Sequence, residues 1–186
     1  MSALPKKLMK KICLLGDGAV GKTSLIRKFV FDSFDDKYIM TFGTKVSKKE
    51  VDIHMNGQDF NMTFIIWDIL GQRVHDNIHS AYYQGATGAF IVCDTTRLET
   101  LDHLDDWIKV FRSVNTDAPV ILLGNKSDLK EDMQFGEREL SELAAKYGMK
   151  YHLTSAKTGA HVEESFIELG YEVIDKHLAK GGSRNE

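Results

Sequence analysis

The 186-residue sequence has few cysteines, little net charge and no long apolar segment, and each absence excludes a class of protein. Its two cysteines, Cys13 and Cys93, lie inside apolar runs. We therefore expect buried free thiols, not a disulfide or a metal site, in a reducing compartment such as the cytoplasm. A net charge of −3 argues against nucleic-acid binding. Runs such as AFIVC are too short to span a bilayer, and the N-terminus does not resemble a signal peptide.

The two ends of the chain carry no acceptor for a lipid. The sequence opens with Met-Ser and closes with KGGSRNE, so neither myristoylation nor prenylation has an acceptor at these ends, and no covalent membrane anchor is evident in this sequence. Four lysines flank the first apolar run: Lys6, Lys7, Lys10 and Lys11. We expect them to be solvated, and the alternative is attraction to an anionic surface.

Short apolar runs alternate with segments of helical periodicity along the whole chain. This order predicts a doubly wound α/β fold, with a mostly parallel six-stranded sheet and helices on both faces. Asn56-Gly57 between two strand-like segments predicts one antiparallel edge hairpin. No linker or repeat divides the chain, so we expect one domain over residues 8–178, an N-terminal extension over 1–7 and a flexible tail over 179–186.

One loop carries the full pattern for phosphate binding. Gly16, Gly21, Lys22 and Thr23 have the spacing Gly-x4-Gly-Lys-Thr, after a strand-like run and before a helical segment. Such a turn presents converging backbone N–H groups to a polyphosphate, and the helix N-terminus adds its dipole. Lys22 would meet the β- and γ-phosphates and Thr23 would meet Mg²⁺. The alternative is an accidental glycine-rich turn.

Two later segments indicate which base the nucleotide carries. Asn125-Lys126-Ser127-Asp128 follows the run VILLG, and the carboxylate of Asp128 can accept from the ring N1–H and the exocyclic amino group of guanine. Adenine has an acceptor at N1, so the same carboxylate would be left unpaired. Asn125 can serve the other edge of the base, and the stem of Lys126 can lie along its plane. The backbone of residues 154–157 can meet the guanine oxygen.

These motifs resemble, in order and spacing, those of the Ras superfamily of small GTPases. The carrying segments are GDGAVGKTS, Thr41, WDILGQ, NKSD and SAK, and SAYYQGA looks most like the Rab branch. The resemblance implies the P-loop GTPase fold and a GTP/GDP switch with Mg²⁺. It also implies a monomer whose two switch loops meet effector, exchange-factor and GTPase-activating proteins.

The resemblance also implies roles for individual residues. Phe34 would lie against guanine, Thr41 and Gly71 would sense the γ-phosphate, and Gln72 would orient the attacking water. The residues expected to act in hydrolysis are Gln72, Lys22 and Thr41. The residues expected to hold Mg²⁺ are Thr23, Thr41 and Asp68. The residues expected to contact the nucleotide are Gly16, Asp17, Gly18, Ala19, Val20, Gly21, Lys22, Thr23, Ser24, Phe34, Thr41, Gly71, Asn125, Lys126, Asp128, Ser155, Ala156 and Lys157.

The chain departs from the family pattern beside the phosphate site. It reads Asp68-Ile69-Leu70-Gly71-Gln72 where the family has Asp-Thr-Ala-Gly-Gln, so Leu70 puts the hydrolysis rate in doubt. A nucleotide-gated scaffold with negligible hydrolysis is therefore the alternative to a GTPase, and a metabolic phosphate-loop kinase would need a lid insertion that the sequence lacks. Arg73 is expected to be solvated, the alternative being an arginine that acts in cis. His75 and His79 are expected to be surface residues, the alternative being a metal pair.

Overall fold

The computed structural model describes residues 4–34, 44–69 and 80–182. Six strands alternate with helices in this part of the chain, as the apolar periodicity predicts. The strands are β1 (Lys6–Leu15), β2 (Thr44–Met55), β3 (Gln58–Ile69), β4 (Gly88–Asp94), β5 (Val120–Asn125) and β6 (Lys150–Leu153). The helices are α1 (Lys22–Phe31), α2 (Ser80–Tyr83), α3 (Leu98–Asp102), α4 (Leu104–Val114), α5 (Glu137–Tyr147) and α6 (Val162–Gly182), with a short 3₁₀ turn at Lys130–Asp132.

The strands form one mixed sheet in the order β2-β3-β1-β4-β5-β6. Every neighbouring pair is parallel except β2 and β3, which pair antiparallel from Thr44–Ile69 to Met55–Gln58. Asn56 and Gly57 join them with φ of 53° and 74°, the left-handed backbone that a type I′ turn requires. The predicted fold, including its edge hairpin, is confirmed.

Two apolar layers cover the sheet, one on each face. Helices α1 and α6 pack on one face through Leu25, Ile26, Phe29, Phe166 and Leu169, among others, and helices α2, α4 and α5 pack on the other. Because both faces are covered, the central strand β4 is buried along its whole length.

Both cysteines are free, fully buried and part of the second layer. Burial raises the pKa of the Cys13 thiol to about 12, so it stays protonated and unreactive at neutral pH. The expectation of small buried hydrophobes is confirmed. Among the described residues, no helix combines the length and the apolar character needed to cross a bilayer.

The outer elements run past the domain limits expected from the sequence. Strand β1 begins at Lys6, ahead of residue 8, and helix α6 continues to Gly182, beyond residue 178. The domain boundaries themselves stay predictions.

The connections place the polar motifs at one edge of the sheet. The chain leaves β1 and reaches its neighbour β3 through α1 and β2, then returns through α2 to β4 on the other side of β1. The end of β1 is therefore a switch point of the topology, where ligands of such sheets bind. The loop from Gly16 to Gly21 lies there, and Asp68, Asp94 and Asn125 end or nearly end their strands at the same edge.

Replacing Phe166 should lower the free energy of unfolding more than replacing any exposed residue of α6, because its ring packs against two other rings in the first apolar layer. It stacks on Phe29 with centroids 3.9 Å apart and lies 4.6 Å from the ring of Phe90. We expect Phe166→Ala to lower the free energy of unfolding by about 3–5 kcal/mol. Tyr171→Ala, on the solvent side of the same helix, should change it by about 0.5 kcal/mol or less. Urea unfolding at fixed nucleotide concentration measures both, and similar losses would contradict the assignment.

Candidate nucleotide-binding site

The phosphate loop has glycine at two positions where atoms of neighbouring strands leave no room for a side chain. Gly16 has φ of 134°, and a Cβ there would lie 2.2 Å from the carbonyl oxygen of Val92 in β4. Gly21 has φ of 101°, and a Cβ there would lie 2.2 Å from Nδ2 of Asn125. The first constraint comes from β4 and the second from β5, so both glycines are set by strands far away in sequence.

Lys22 begins α1 and folds its ammonium back over the loop. Its Nζ donates to the carbonyl oxygens of Gly16 and Asp17, each at 2.7 Å, and the residue is only 7% exposed. Burial lowers the pKa of Lys22 to about 8, although Asp68 and Asp17 favour its charged form. A desolvated cation held in a loop of glycines is suited to an anionic ligand, which would raise this pKa again.

Thr23 and Asp68 meet beside the loop. Thr23 Oγ1 donates to Asp68 Oδ2 at 2.6 Å, and Asp68 is almost fully buried at the end of β3. Its other oxygen, Oδ1, has no hydrogen-bond partner among the described residues. Burial raises the pKa of Asp68, against the hydrogen bond from Thr23 and the charge of Lys22. A hydroxyl next to a carboxylate oxygen with spare lone pairs is the kind of oxygen set that Mg²⁺ prefers, so these residues fit that ion.

The buried side chain of Asn125 hydrogen-bonds both to the phosphate loop and to the segment after β6. Its Nδ2 donates to the carbonyl oxygen of Val20 at 2.9 Å. Its Oδ1 accepts from the N–H of Ala156 at 3.2 Å and from Thr154 Oγ1 at 3.3 Å. The carbonyl oxygen is thus fully used within the protein, and one Nδ2 hydrogen is left for a ligand. The predicted contact of Asn125 with the base stays a prediction and rests on that hydrogen.

Asp128 and Ser155 are brought together from two loops. Ser155 Oγ donates to Asp128 Oδ1 at 2.6 Å and accepts from the N–H of Thr158 at 3.1 Å. This hydrogen bond orients Oδ1 of Asp128 and leaves Oδ2 for ligand donors. The remaining predicted contact residues in the described ranges are Gly18 and Ala19 on the exposed rim of the loop, Ser24 in the first turn of α1, Phe34 just beyond α1 and Lys157 in the exposed turn after Ala156.

A carboxylate that the sequence analysis did not single out links these loops. Asp94, 1% exposed at the end of β4, accepts from Lys126 Nζ at 2.6 Å and from Arg97 Nε at 3.1 Å. Burial favours its neutral form, but the hydrogen bonds from Lys126 and Thr96 outweigh it, and the pKa of Asp94 ends below its usual value. Arg97 then donates from Nη2 to the carbonyl oxygen of Gly18 at 2.8 Å. The sequence signal that could have identified Asp94 is a single carboxylate at the end of an otherwise apolar strand.

A second link, also missing from the sequence analysis, ties the loop to α4. The side chain of Asp17 accepts from Trp107 Nε1 at 2.8 Å and from His103 Nδ1 at 2.7 Å. The hydrogen bond to Asp17 raises the pKa of His103, and Asp102 and Asp106 act in the same direction. No pattern around Trp107 or His103 signals this contact, because both read as ordinary helix residues.

Several predicted residues lie outside the described ranges. They are Thr41, Gly71 and Gln72 of the switch loops, together with Leu70, Arg73, His75 and His79. Their assigned roles therefore stay predictions. In the described part of the chain, no cluster of three or more His, Cys, Asp or Glu side chains suits a metal ion.

Comparisons with known proteins agree with this geometry. The model of the Ras family matches residues 11–175. Ras-related protein Rab-8B of Homo sapiens is 35% identical over 176 residues, which cover 94% of this chain and 83% of that protein. Ras-related protein Rab-13 of Canis lupus familiaris is 34% identical over 177 residues, with the same two coverages. Ras-related protein RABA4b of Arabidopsis thaliana is 34% identical over 180 residues, covering 94% of this chain and 79% of that protein.

Replacement by alanine should destabilise the protein far more at Gly16 than at Gly57. Both have positive φ, but only Gly16 has a backbone oxygen where the Cβ would go. We expect Gly16→Ala to lower the free energy of unfolding by about 3 kcal/mol and to weaken GDP binding. Gly57→Ala, in the open hairpin turn, should cost about 1 kcal/mol. Chemical denaturation and GDP titration measure the two effects. Equal losses in the two variants would refute a specific clash with Val92.

The contact between His103 and Asp17 should make stability depend on pH. Since the folded pKa of His103 is raised, its stabilising contribution is complete below its unfolded pKa of about 6.5 and disappears as pH rises through the folded value. We expect the free energy of unfolding of the native protein to fall between pH 6 and 8 relative to His103→Asn, which keeps a neutral donor. Unfolding curves across this range test the idea, and parallel pH profiles would contradict it.

Proposed function

The chain belongs to the Ras family as a Rab-like small GTPase, and on that premise we propose how its site works as a switch. It binds GTP or GDP with Mg²⁺, hydrolyses GTP slowly to GDP and phosphate, and offers a different surface to partners in each state. The observation that carries the proposal is the meeting of a buried lysine, a hydroxyl–carboxylate pair and a polar base-site cluster at one edge of the sheet.

Binding of the triphosphate begins at Lys22. Its ammonium is already desolvated and aimed into the loop, so little reorganisation accompanies phosphate binding. The backbone N–H groups of residues 16–23 and the start of α1 add further donors. Thr23 and Asp68 would hold Mg²⁺ directly or through water. That ion would supply positive charge at the β- and γ-phosphate oxygens.

Selection of guanine depends on the orientation of Asp128. Ser155 occupies one carboxylate oxygen and so turns the other toward the base site. A purine with two adjacent donors would satisfy it, and one with an acceptor at N1 would leave a charged group unpaired. The ion pair from Lys126 to Asp94 supports this by fixing the backbone between Asn125 and Asp128, where Lys126 has φ of 69°.

Hydrolysis proceeds by in-line attack of a water molecule on the γ-phosphate. Gln72 and the carbonyl of Thr41 orient that water, and Lys22 stabilises the charge that develops toward the leaving GDP. These assignments rest on the family resemblance. Loss of the γ-phosphate releases Thr41 and Gly71, and with them the surfaces that effector, exchange-factor and GTPase-activating proteins read. The two buried free thiols support a site of action in the reducing cytoplasm.

A nucleotide-gated scaffold with negligible hydrolysis is the second candidate, because Leu70 replaces a small residue beside the phosphate site. In this reading the same residues bind GTP and the same loops respond to it. The two candidates differ only in the fate of the γ-phosphate without a helper protein.

Single-turnover release of γ-phosphate from GTP-loaded protein tests the proposal. We expect release at about 10⁻⁴ s⁻¹ with Mg²⁺, and none from ATP at equal concentration. Gln72→Leu should slow release by about tenfold to a hundredfold without weakening GDP binding. Gln84→Leu, at an exposed glutamine outside the site, is the matched control.

The outcome also separates the two candidates. Tight GTP binding without release would favour the scaffold, and recovery of release in Leu70→Ala would then identify the cause. Release that is unchanged in Gln72→Leu would remove that residue from the mechanism. Equal binding of ATP and GTP would remove the guanine assignment.

A further inference from the structure

A second pocket opens at the opposite edge of the sheet from the phosphate loop. Its volume is about 300 Å³, and it lies where the chain enters β4 and β5, beneath the second half of α6. Its polar walls come from Lys10 of β1, from Lys176, His177 and Lys180 of α6, and from Asp117 in the loop before β5. Its size is at the lower end of that of small-molecule sites.

The pocket concentrates positive charge. Three lysines face it against one carboxylate, Asp117, whose contact with Lys180 Nζ is long at 3.9 Å and exposed. The side chain of Lys176 makes no ion pair or hydrogen bond with any residue in the ranges that the structure describes. One weak pair does not neutralise the cluster, so these cations repel one another.

Burial and the nearby positive charges both act on Lys10 and His177. Lys10 Nζ lies 3.1 Å from His177 Nδ1, so the lysine ammonium donates to a neutral imidazole. Burial and then the charge of Lys180 lower the pKa of Lys10. Burial and then the charges of Lys10 and Lys6 lower the pKa of His177. An anion in the pocket would offset the charge contributions and favour the charged forms of Lys10 and His177.

The fold divides the basic N-terminal stretch into two sets. Because side chains alternate along β1, Lys6 and Lys10 share the face covered by α6, and Lys7 and Lys11 share the other. Lys11 is engaged there, donating to the carbonyl oxygen of Gln84 at 2.9 Å and lying 3.9 Å from the Trp67 ring. The first set lies on the same side of the sheet as the basic residues of α6, where Lys10 contacts His177, 167 positions later in the chain.

A phosphate group fits the charge and the lining of this pocket. Three lysine side chains around one pocket match a group of high negative charge, and apolar lining residues such as Val114 and Pro119 suit a short carbon skeleton beside it. We propose that the pocket binds the phosphate group of a phosphomonoester, either as a small soluble molecule or as the headgroup of a lipid. This site is separate from the nucleotide site and does not depend on GTP hydrolysis.

The test uses the full chain loaded with GDP and Mg²⁺, so that the phosphate loop is already filled. One arm titrates glycerol 3-phosphate and follows the ring resonances of His177 by NMR. The other arm measures co-sedimentation with phosphatidylcholine vesicles with and without phosphatidic acid, whose headgroup has the same chemistry. We expect saturable binding in at least one arm, and in the soluble arm a rise in the pKa of His177.

Two lysine variants make the test specific. Lys10→Glu should weaken binding by about tenfold or more, because it removes a charge-assisted contact and adds repulsion. Lys7→Glu is the matched control, with the same charge change on the same strand but on the opposite face, and it should leave binding nearly unchanged. Both variants should hydrolyse GTP at the native rate.

Each outcome decides the matter. Saturable binding of glycerol 3-phosphate that Lys10→Glu abolishes supports a soluble ligand. Binding that requires phosphatidic acid vesicles and Lys10 supports a lipid headgroup. Absence of saturable binding in both arms, or equal loss in Lys7→Glu and Lys10→Glu, would overturn the proposal, because binding would then be absent or merely the sum of surface charge.

Discussion

The buried ammonium of Lys22 is the charge around which the site is organised. Its removal from water is unfavourable unless carbonyl oxygens surround it, and the loop supplies those of Gly16 and Asp17. Those carbonyls are available because Gly16 adopts a backbone with positive φ directly against β4. The conformation of the loop, the start of α1 and the packing of the loop on the sheet are therefore coupled through one side chain.

Contacts from three neighbouring elements keep this loop in place. Asn125 holds it from β5, Arg97 from the segment between β4 and α3, and Trp107 from α4, each through an oxygen atom of the loop. Arg97 is itself held by Asp94, which also binds Lys126 of the base site. Because Asp94 is shared, the phosphate and base halves of the site are parts of one hydrogen-bonded network, whose members are expected to act non-additively.

The two ends of the sheet handle positive charge in different ways. At the carboxyl edge, Lys22 and Lys126 are balanced by Asp68, Asp17 and Asp94, so these two lysines are held in place by contacts within the protein. At the opposite edge, Asp117 is the one carboxylate among the described residues that line the pocket with Lys10, Lys176 and Lys180. The first arrangement favours precise positioning of a bound ligand, and the second favours attraction of an anion.

The sequence by itself determined the local features, because each depends on residues close together in the chain. The strand segments, the Asn56-Gly57 turn and the glycine-lysine loop were predicted from periodicity and spacing, and the family resemblance made the partners of the nucleotide site predictable as a set. What only the tertiary structure decided is which distant side chains meet. Asp94 with Lys126, Asp17 with Trp107 and Lys10 with His177 are separated by 32, 90 and 167 positions. Strand order, not sequence spacing, brings those pairs within hydrogen-bonding distance, and no local pattern encodes strand order.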